Sequence, residues 1–315
     1  MWIMGRVRTR LVGATARRLL ETPGCSGHVL AVVSNAVYLA SAGGDIFWVA
    51  LDGVPLHSRG VTASIPLRTL GNGMPFAARD GRLTIGEAVE VDMADAPTWT
   101  PPRVSPEGAA PLSEVRRRLA HVLRALAPEQ QSPISAVVSL LARPEDADEM
   151  SLLFAREASA SVERMASACL EGDVPRAVAA GEGLLGLGPG LTPAGDDFIG
   201  GMLFGMRALQ SAYPERYARD DQPIRVLLER AKAQTNRISH TILSDLAMGE
   251  GPEPLHDLTC CLLSEGRCDR LMLHIQHVWE MGHSSGRALL AGTLTGLLLA
   301  CVASPHLTPG ACWGE

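Results

Sequence analysis

Pro97-Thr-Trp-Thr-Pro101-Pro102-Arg-Val-Ser-Pro106-Glu-Gly-Ala-Ala-Pro111 divides the chain into two textures. Proline fixes φ and carries no N–H, so at this density it interrupts both helices and strand ladders. Residues 97–111 therefore read as an extended inter-domain linker. The fold class follows from what lies on either side: α+β, with a small N-terminal β barrel or sandwich followed by a larger all-helical domain.

Before the linker, residues 1–96 read as the β-rich domain. Arg6, Arg8, Arg10, Arg17 and Arg18 sit among small residues up to Gly24, where a short helix and a first strand both fit. From His28, Val29, Val32, Val33, Val37, Tyr38 and Leu39 flank a Ser34-Asn35 turn. Ile46 to Leu51 is a continuous apolar run, followed by Asp52-Gly53, a hairpin signal. Val61 to Leu67 and Arg82 to Ile85 read as further strands. Ala88 to Met93 alternates apolar and charged residues, as a half-buried strand does.

After the linker, residues 112–315 read as helix. Leu112, Val115, Leu119, Val122, Leu123 and Leu126 form an apolar stripe with arginines opposite. Met150 to Leu170 is rich in alanine. Asp173-Val174-Pro175 starts a helix by cap and proline. Further helices are expected from Asp196 to about Gln210, Ile224 to Gln234, Leu243 to Met248, Pro254 to Leu263, Leu271 to Met281 and Arg287 to Val302.

Composition limits the function classes. A chain of 315 residues with net charge −6 and 4% aromatics is a poor candidate for wholesale nucleic-acid binding. The N-terminal arginine-rich segment lacks the apolar core of a secretory leader. Ala288 to Ala303 is interrupted by Gly292, Thr293, Thr295 and Gly296, and reads as a buried helix rather than a membrane span. Seven cysteines include no Cys-x-x-Cys, and Cys260-Cys261 with Cys268 fits no common zinc spacing. A reduced, cytoplasmic protein is the expectation.

Chemistry concentrates in Gly186-Leu-Gly188-Pro-Gly190-Leu-Thr192-Pro-Ala-Gly195-Asp196-Asp197-Phe-Ile-Gly200-Gly-Met-Leu-Phe-Gly205. Alternating glycines open backbone angles closed to other residues. Thr192-Pro193 reads as the N-cap and first residue of a helix. A glycine loop entering a helix N-terminus turns free N–H groups and the positive dipole end toward one spot, which suits an anion. Asp196 and Asp197 beside it suit a metal ion, an amino group or a proton in transfer. The ordinary reading is that the aspartates complement the dipole and that the glycines permit close helix packing. The string is not a P-loop, because no Lys-Ser or Lys-Thr follows it. Nor is it a dinucleotide fingerprint, because helix rather than strand precedes it.

Two further stretches carry polar groups. In Trp279-Glu-Met-Gly282-His283-Ser284-Ser285-Gly286-Arg287, Gly282 reads as a helix stop and Ser284 or Ser285 as the next N-cap. His283 is an acid/base or ligand candidate, though a lone histidine is more often structural. In Thr235-Asn-Arg237-Ile-Ser239-His-Thr241, Arg237 can hold a carboxylate or phosphate bidentately; the ordinary reading is capping by Ser239 beside a solvated arginine. His274 and His277, spaced i, i+3, are weak metal candidates with His283, since no carboxylate or cysteine completes the set convincingly.

The run from Gly188 to Gly200 resembles the hallmark of a bacterial domain-of-unknown-function family. That family includes the AllH-type subunit of oxamate carbamoyltransferase from anaerobic allantoin breakdown. Thr235 to Gly249 and Gly282 to Gly286 also look like its motifs, and the likeness is sharpest from Gly186 to Leu299. The resemblance implies a transferase subunit in purine catabolism, working with partner subunits on carbamoyl phosphate and oxamate or a similar amide acceptor. On that reading the phosphate sits on N–H groups around Gly188, Gly190 and Leu191 with the Thr192 hydroxyl, and Gly195 and Ser239 belong to the same substrate- or phosphate-binding set. N–H groups at Ser284, Ser285 and Gly286 serve the oxyanion. Asp196 or Asp197 takes a proton, and Arg237 clamps the acceptor carboxylate. Asp197, Ser239 and Ser285 are expected to line one pocket. Two rivals stand beside this: a non-catalytic ligand-binding or assembly subunit, and a magnesium-dependent enzyme on a phosphate ester or nucleotide, with Mg2+ at Asp196 and Asp197.

Overall fold

The computed structural model describes residues 5–87, 89–141, 149–217, 220–282 and 285–302. These fall into two compact units, Met1–Pro101 and Pro102–Glu315.

The first unit is built on one mixed sheet. In chain order its elements are β1 (Gly5–Arg8), β2 (Leu11–Gly13), α1 (Ala14–Leu20), β3 (Ser26–Val32), β4 (Ala36–Ser41), β5 (Ile46–Ala50) and β6 (Gly60–Thr62). β7 (Pro75–Arg79), β8 (Arg82–Ile85), β9 (Val89–Asp92) and β10 (Thr98–Trp99) follow. The strand order is β1-β9-β8-β7-β3-β4-β5-β6-β2-β10. The expected barrel-like unit thus takes the form of a single curled ten-stranded sheet, a half-barrel.

Period-2 burial explains the core. Val89 and Val91 are buried while Glu90 and Asp92 are partly exposed. Val37, Leu39, Phe47, Val49, Val61, Leu83 and Ile85 join them, with Ala16 and Leu20 of α1 packed in the same cluster. β3 and β4 form the hairpin expected around Ser34-Asn35. β7 and β8 form another, whose turn residues Asp80 and Gly81 both have positive φ (51° and 72°). One expectation fails. Asp52-Gly53 does turn the chain, with Gly53 at φ 90°, but β5 and β6 pair in parallel, so no hairpin forms there. The longer connection from Asp52 to Arg59 carries the chain back to start β6 alongside β5 in the same direction. Trp99 and Thr98 pair in parallel with β2, so the ladder reaches into the proline-rich segment.

The second unit is helical. It contains α2 (Leu112–Leu126), α3 (Pro133–Leu141), α4 (Glu149–Glu171), α5 (Val174–Ala180), α6 (Ala194–Ala212) and α7 (Gln222–Gln234). It continues with α8 (Arg237–Ala247), α9 (Glu253–Leu263), α10 (Leu271–Trp279) and α11 (Ser285–Leu297). α5 starts as its sequence suggests: the Asp173 side chain accepts from Arg176 N at 3.0 Å. α6 is the core element, packed on α11 and α8. Its approach to α11 is close because glycines face the partner backbone on both sides. A Cβ on Gly201 would lie 2.3 Å from Leu289 O, and one on Gly292 2.0 Å from Phe198 O. The packing role of these glycines is therefore real. Among the described residues, no helix is long and apolar enough to cross a membrane.

Cys261 and Cys268, expected as reduced thiols, are joined in a disulfide across the turn between α9 and α10, with Cα atoms 5.4 Å apart. Cys25, Cys169, Cys260 and Cys301 are not in disulfides.

Candidate functional site

The loop from Gly186 to Thr192 approaches the start of α6 with three left-handed glycines. Gly186, Gly188 and Gly190 have φ of 71°, 114° and 94°. Gly188 also lies where a Cβ would come within 2.9 Å of Ala194 N, whereas Gly190 faces open space. Among the described residues, the N–H groups of Gly188, Gly190, Leu191 and Thr192 donate to no protein acceptor. Gly190 is exposed, and Gly188, Leu191 and Thr192 are half-buried.

The helix begins one residue later than Thr192-Pro193 suggests. Pro193 occupies the cap position, with φ −55° and ψ 139°, and no side chain caps the helix. The Thr192 hydroxyl turns instead to the Ser285 hydroxyl, 3.0 Å away. The reason is tertiary: Thr192 meets the N-terminus of α11, and a bond across that junction replaces the local cap. Gly195, expected in the binding set, has its N–H engaged within the fold. Its N–H donates to Leu187 O at 2.9 Å, and a Cβ would lie 1.9 Å from Leu184 O. It is a packing glycine under the loop.

The two aspartates are both buried, 2% and 4% exposed, but differ in surroundings. Asp196 Oδ1 accepts from Gly186 N at 2.8 Å, and Oδ2 accepts from Ser239 Oγ at 2.6 Å and from Thr235 Oγ1. Its carboxylate thus clasps the start of the glycine loop to the N-terminus of α8. Three protein donors thus occupy the Asp196 carboxylate, two on Oδ2 and one on Oδ1.

Asp197 is different. Burial pushes its carboxyl well above the usual carboxylate range, and the neighbouring Asp196 charge adds to that. Hydrogen bonds from Ser285 and Thr192 pull the other way. Its Oδ2 is buried with no hydrogen-bond partner. A carboxyl group with raised proton affinity and an unused oxygen is suited to taking up or giving a proton.

α8 contributes from below the loop. Asn236, not Ser239, is its N-cap, accepting from Ile238 N and Ser239 N at 3.0 Å each. Asn236 Nδ2 also donates to Leu191 O at 2.8 Å, tying the loop to this helix end. Ser239 is free to bond Asp196 because the cap is filled. Arg237, the first residue of α8, is exposed.

Asp197, Ser239 and Ser285 therefore meet around one aspartate pair, Ser239 on Asp196 and Ser285 on Asp197. Gly286 does not lend an N–H to this place: its N–H donates to Met281 O at 2.8 Å, and a Cβ would lie 2.2 Å from Val278 O. His283 and Ser284 lie outside the described residues. Gly186, Thr235 and Asn236 are contributors that sequence reasoning quoted without assigning. The signal for Asn236 is present locally, as a good N-cap residue before an apolar-periodic segment.

A glycine loop with unpaired N–H groups leading into a helix N-terminus is a geometry that suits small anions. Residues 184–297 match the family model of the oxamate carbamoyltransferase subunit AllH. The match runs from just before the glycine loop to the end of α11, so it spans all three converging segments. No curated protein and no solved structure matches the chain.

Proposed function

We propose that this chain is a subunit of a carbamoyltransferase that handles carbamoyl phosphate and oxamate, or a similar amide acceptor, in purine (allantoin) catabolism. The observation that carries the reading is the set of unpaired N–H groups at Gly188, Gly190, Leu191 and Thr192, together with the unpartnered Asp197 oxygen in the first turn of α6, inside the segment that matches the family model.

The chemistry asks for what these groups supply. Phosphate oxygens take N–H donors and the positive end of α6. The acceptor amide nitrogen attacks the carbamoyl carbon, a C–N bond forms, the C–O bond to phosphate breaks and phosphate leaves. One proton must leave the nitrogen. Ionised Asp197, with its proton affinity raised by burial, accepts it. The Ser285 and Thr192 hydroxyls orient that carboxylate. Arg237, exposed at the start of α8, is assigned to the acceptor carboxylate. Asp196 positions the loop and takes no proton. Partner subunits complete the assembly.

The test is carbamoyl transfer in the complex reconstituted with its partner subunits, read as phosphate release. Asp197→Asn is expected to lower turnover by about 10²-fold, and calorimetry is expected to show carbamoyl phosphate binding by the assembled complex. Undiminished turnover in the variant would make this a non-catalytic ligand-binding or assembly subunit. Absence of carbamoyl phosphate binding would remove the reading altogether.

A further inference from the structure

Three side chains of metal-ligating type cluster at the α9–α10 turn, with Asp257 beside one of them. Asp257 and Cys261 lie on α9 four residues apart, hence on one face of the helix. Cys268 lies in the connecting loop and His274 on α10, which packs against α9. The ligand atoms of Cys261, Cys268 and His274 all lie within 4.8 Å of one another. His274 Nδ1 is buried without a hydrogen bond, and its nearest opposite charge is Asp257 Oδ2 at 4.0 Å.

We propose that, with the cysteine pair reduced, Asp257, Cys261, Cys268 and His274 form a zinc site. A tetrahedral Zn2+ holds its sulfur, nitrogen and oxygen ligands about 3.3–3.8 Å from each other. The His274–Asp257 spacing is already close to that. With Cα atoms 5.4 Å apart, the two sulfurs part to about that distance by side-chain rotation alone. Two thiolates and one imidazole favour zinc over magnesium or calcium, which prefer all-oxygen shells. The protein also holds the loop that carries Cys268 in place. Arg118, on α2, donates to the carbonyls of Cys261 and Ser264 at 3.0 and 2.9 Å and to that of Gly266. Its Nε also donates to Glu114 Oε1 at 2.8 Å, so the arginine acts here as a brace on the loop backbone rather than as a spare charge. Interconversion balances in electrons and protons. Two equivalents of a small thiol reduce the disulfide to two cysteine thiols and form one small-molecule disulfide. Zinc binding then releases the two thiol protons to solvent.

The experiment uses the full chain reduced with excess small thiol, freed of it under anaerobic conditions and titrated with Co2+ as a spectroscopic stand-in for zinc. The expected result is saturation at one equivalent, a thiolate-to-cobalt charge-transfer band and the visible bands of a tetrahedral ion, all abolished by stoichiometric Zn2+. Cys261→Ser and His274→Gln, checked for native circular dichroism, are each expected to weaken binding by about 100-fold or more. Zinc is also expected to raise the melting temperature of the reduced chain and leave the oxidised chain unmoved. Three results would each overturn the proposal: a pair that stays oxidised in excess thiol, cobalt bound without the thiolate band, or His274→Gln binding as tightly as the parent.

Discussion

Asp197 carries a carboxyl that burial holds above its ordinary range, so its ionised form costs folded-state stability. An unfolded carboxyl titrates near 3.8 and the folded one higher. The stabilisation from this group is complete below the unfolded value and declines as pH rises through the folded value. Asp197→Asn should therefore melt at or above the parent temperature, and the gap should widen with pH from about 4 upward. Thermal scans across pH check this, and a variant less stable at neutral pH with normal turnover would return Asp197 to a structural role. Asp196 should behave in the opposite way. Asp196→Asn sets an amide donor against the donors of Gly186, Thr235 and Ser239. The expected loss is about 1.5–3 kcal/mol, measured by urea denaturation. At this scale the sequence was half legible. The glycine string and the double aspartate announce a site, but which aspartate is saturated depends on Thr235 and Ser239, some forty residues on in the chain. No local pattern carries that.

At the scale of elements, glycine has two distinct uses here, and substitution separates them. Gly292→Ala puts a methyl 2.0 Å from Phe198 O on the α6–α11 contact, where backbone rather than a flexible side chain must move. The expected cost exceeds about 3 kcal/mol. Gly190→Ala meets open space and carries only the strain of φ 94°, about 1–2 kcal/mol. Denaturant midpoints of the two variants check the ordering, and equal costs would contradict the packing described. Element identity was largely legible from period: the α2 stripe, the Asp173 cap and the alternation in β9 all read directly. The misses have physical causes. Asp52-Gly53 makes a turn, but only the sheet decides that the next strand runs parallel. β7 escaped because Ala77 and Ala78 weaken its alternation, and α3 because it has few turns. The Thr192 and Ser239 caps were misassigned because each hydroxyl bonds across the fold rather than within its own helix.

At the scale of the whole molecule, each compact unit has its own apolar cluster, one centred on the sheet and one on α6 and α11. We expect a polypeptide of residues 102–315 to fold alone, with a cooperative melt and a helical circular dichroism spectrum. The choice of the cut is itself a test. A sequence-based boundary puts the helical domain at Leu112, but the ten residues before it are bonded into this unit. Ala110 N donates to Leu263 O at 2.7 Å, Tyr213 Oη donates to Ala110 O at 2.6 Å, and Glu265 N donates to Gly108 O at 2.9 Å. Arg103 pairs with Glu250, and His256 Nδ1 lies 3.1 Å from Pro102 O. Residues 112–315 would lose all of these and leave the buried Leu263 carbonyl and Tyr213 hydroxyl without their partners. At about 1 kcal/mol for each backbone or hydroxyl bond, the shorter polypeptide should be less stable than residues 102–315 by about 2 kcal/mol or more. Parallel urea titrations of the two polypeptides measure the difference. Equal midpoints would mean that residues 102–111 serve as a tether after all, and that the helical unit begins at its first helix.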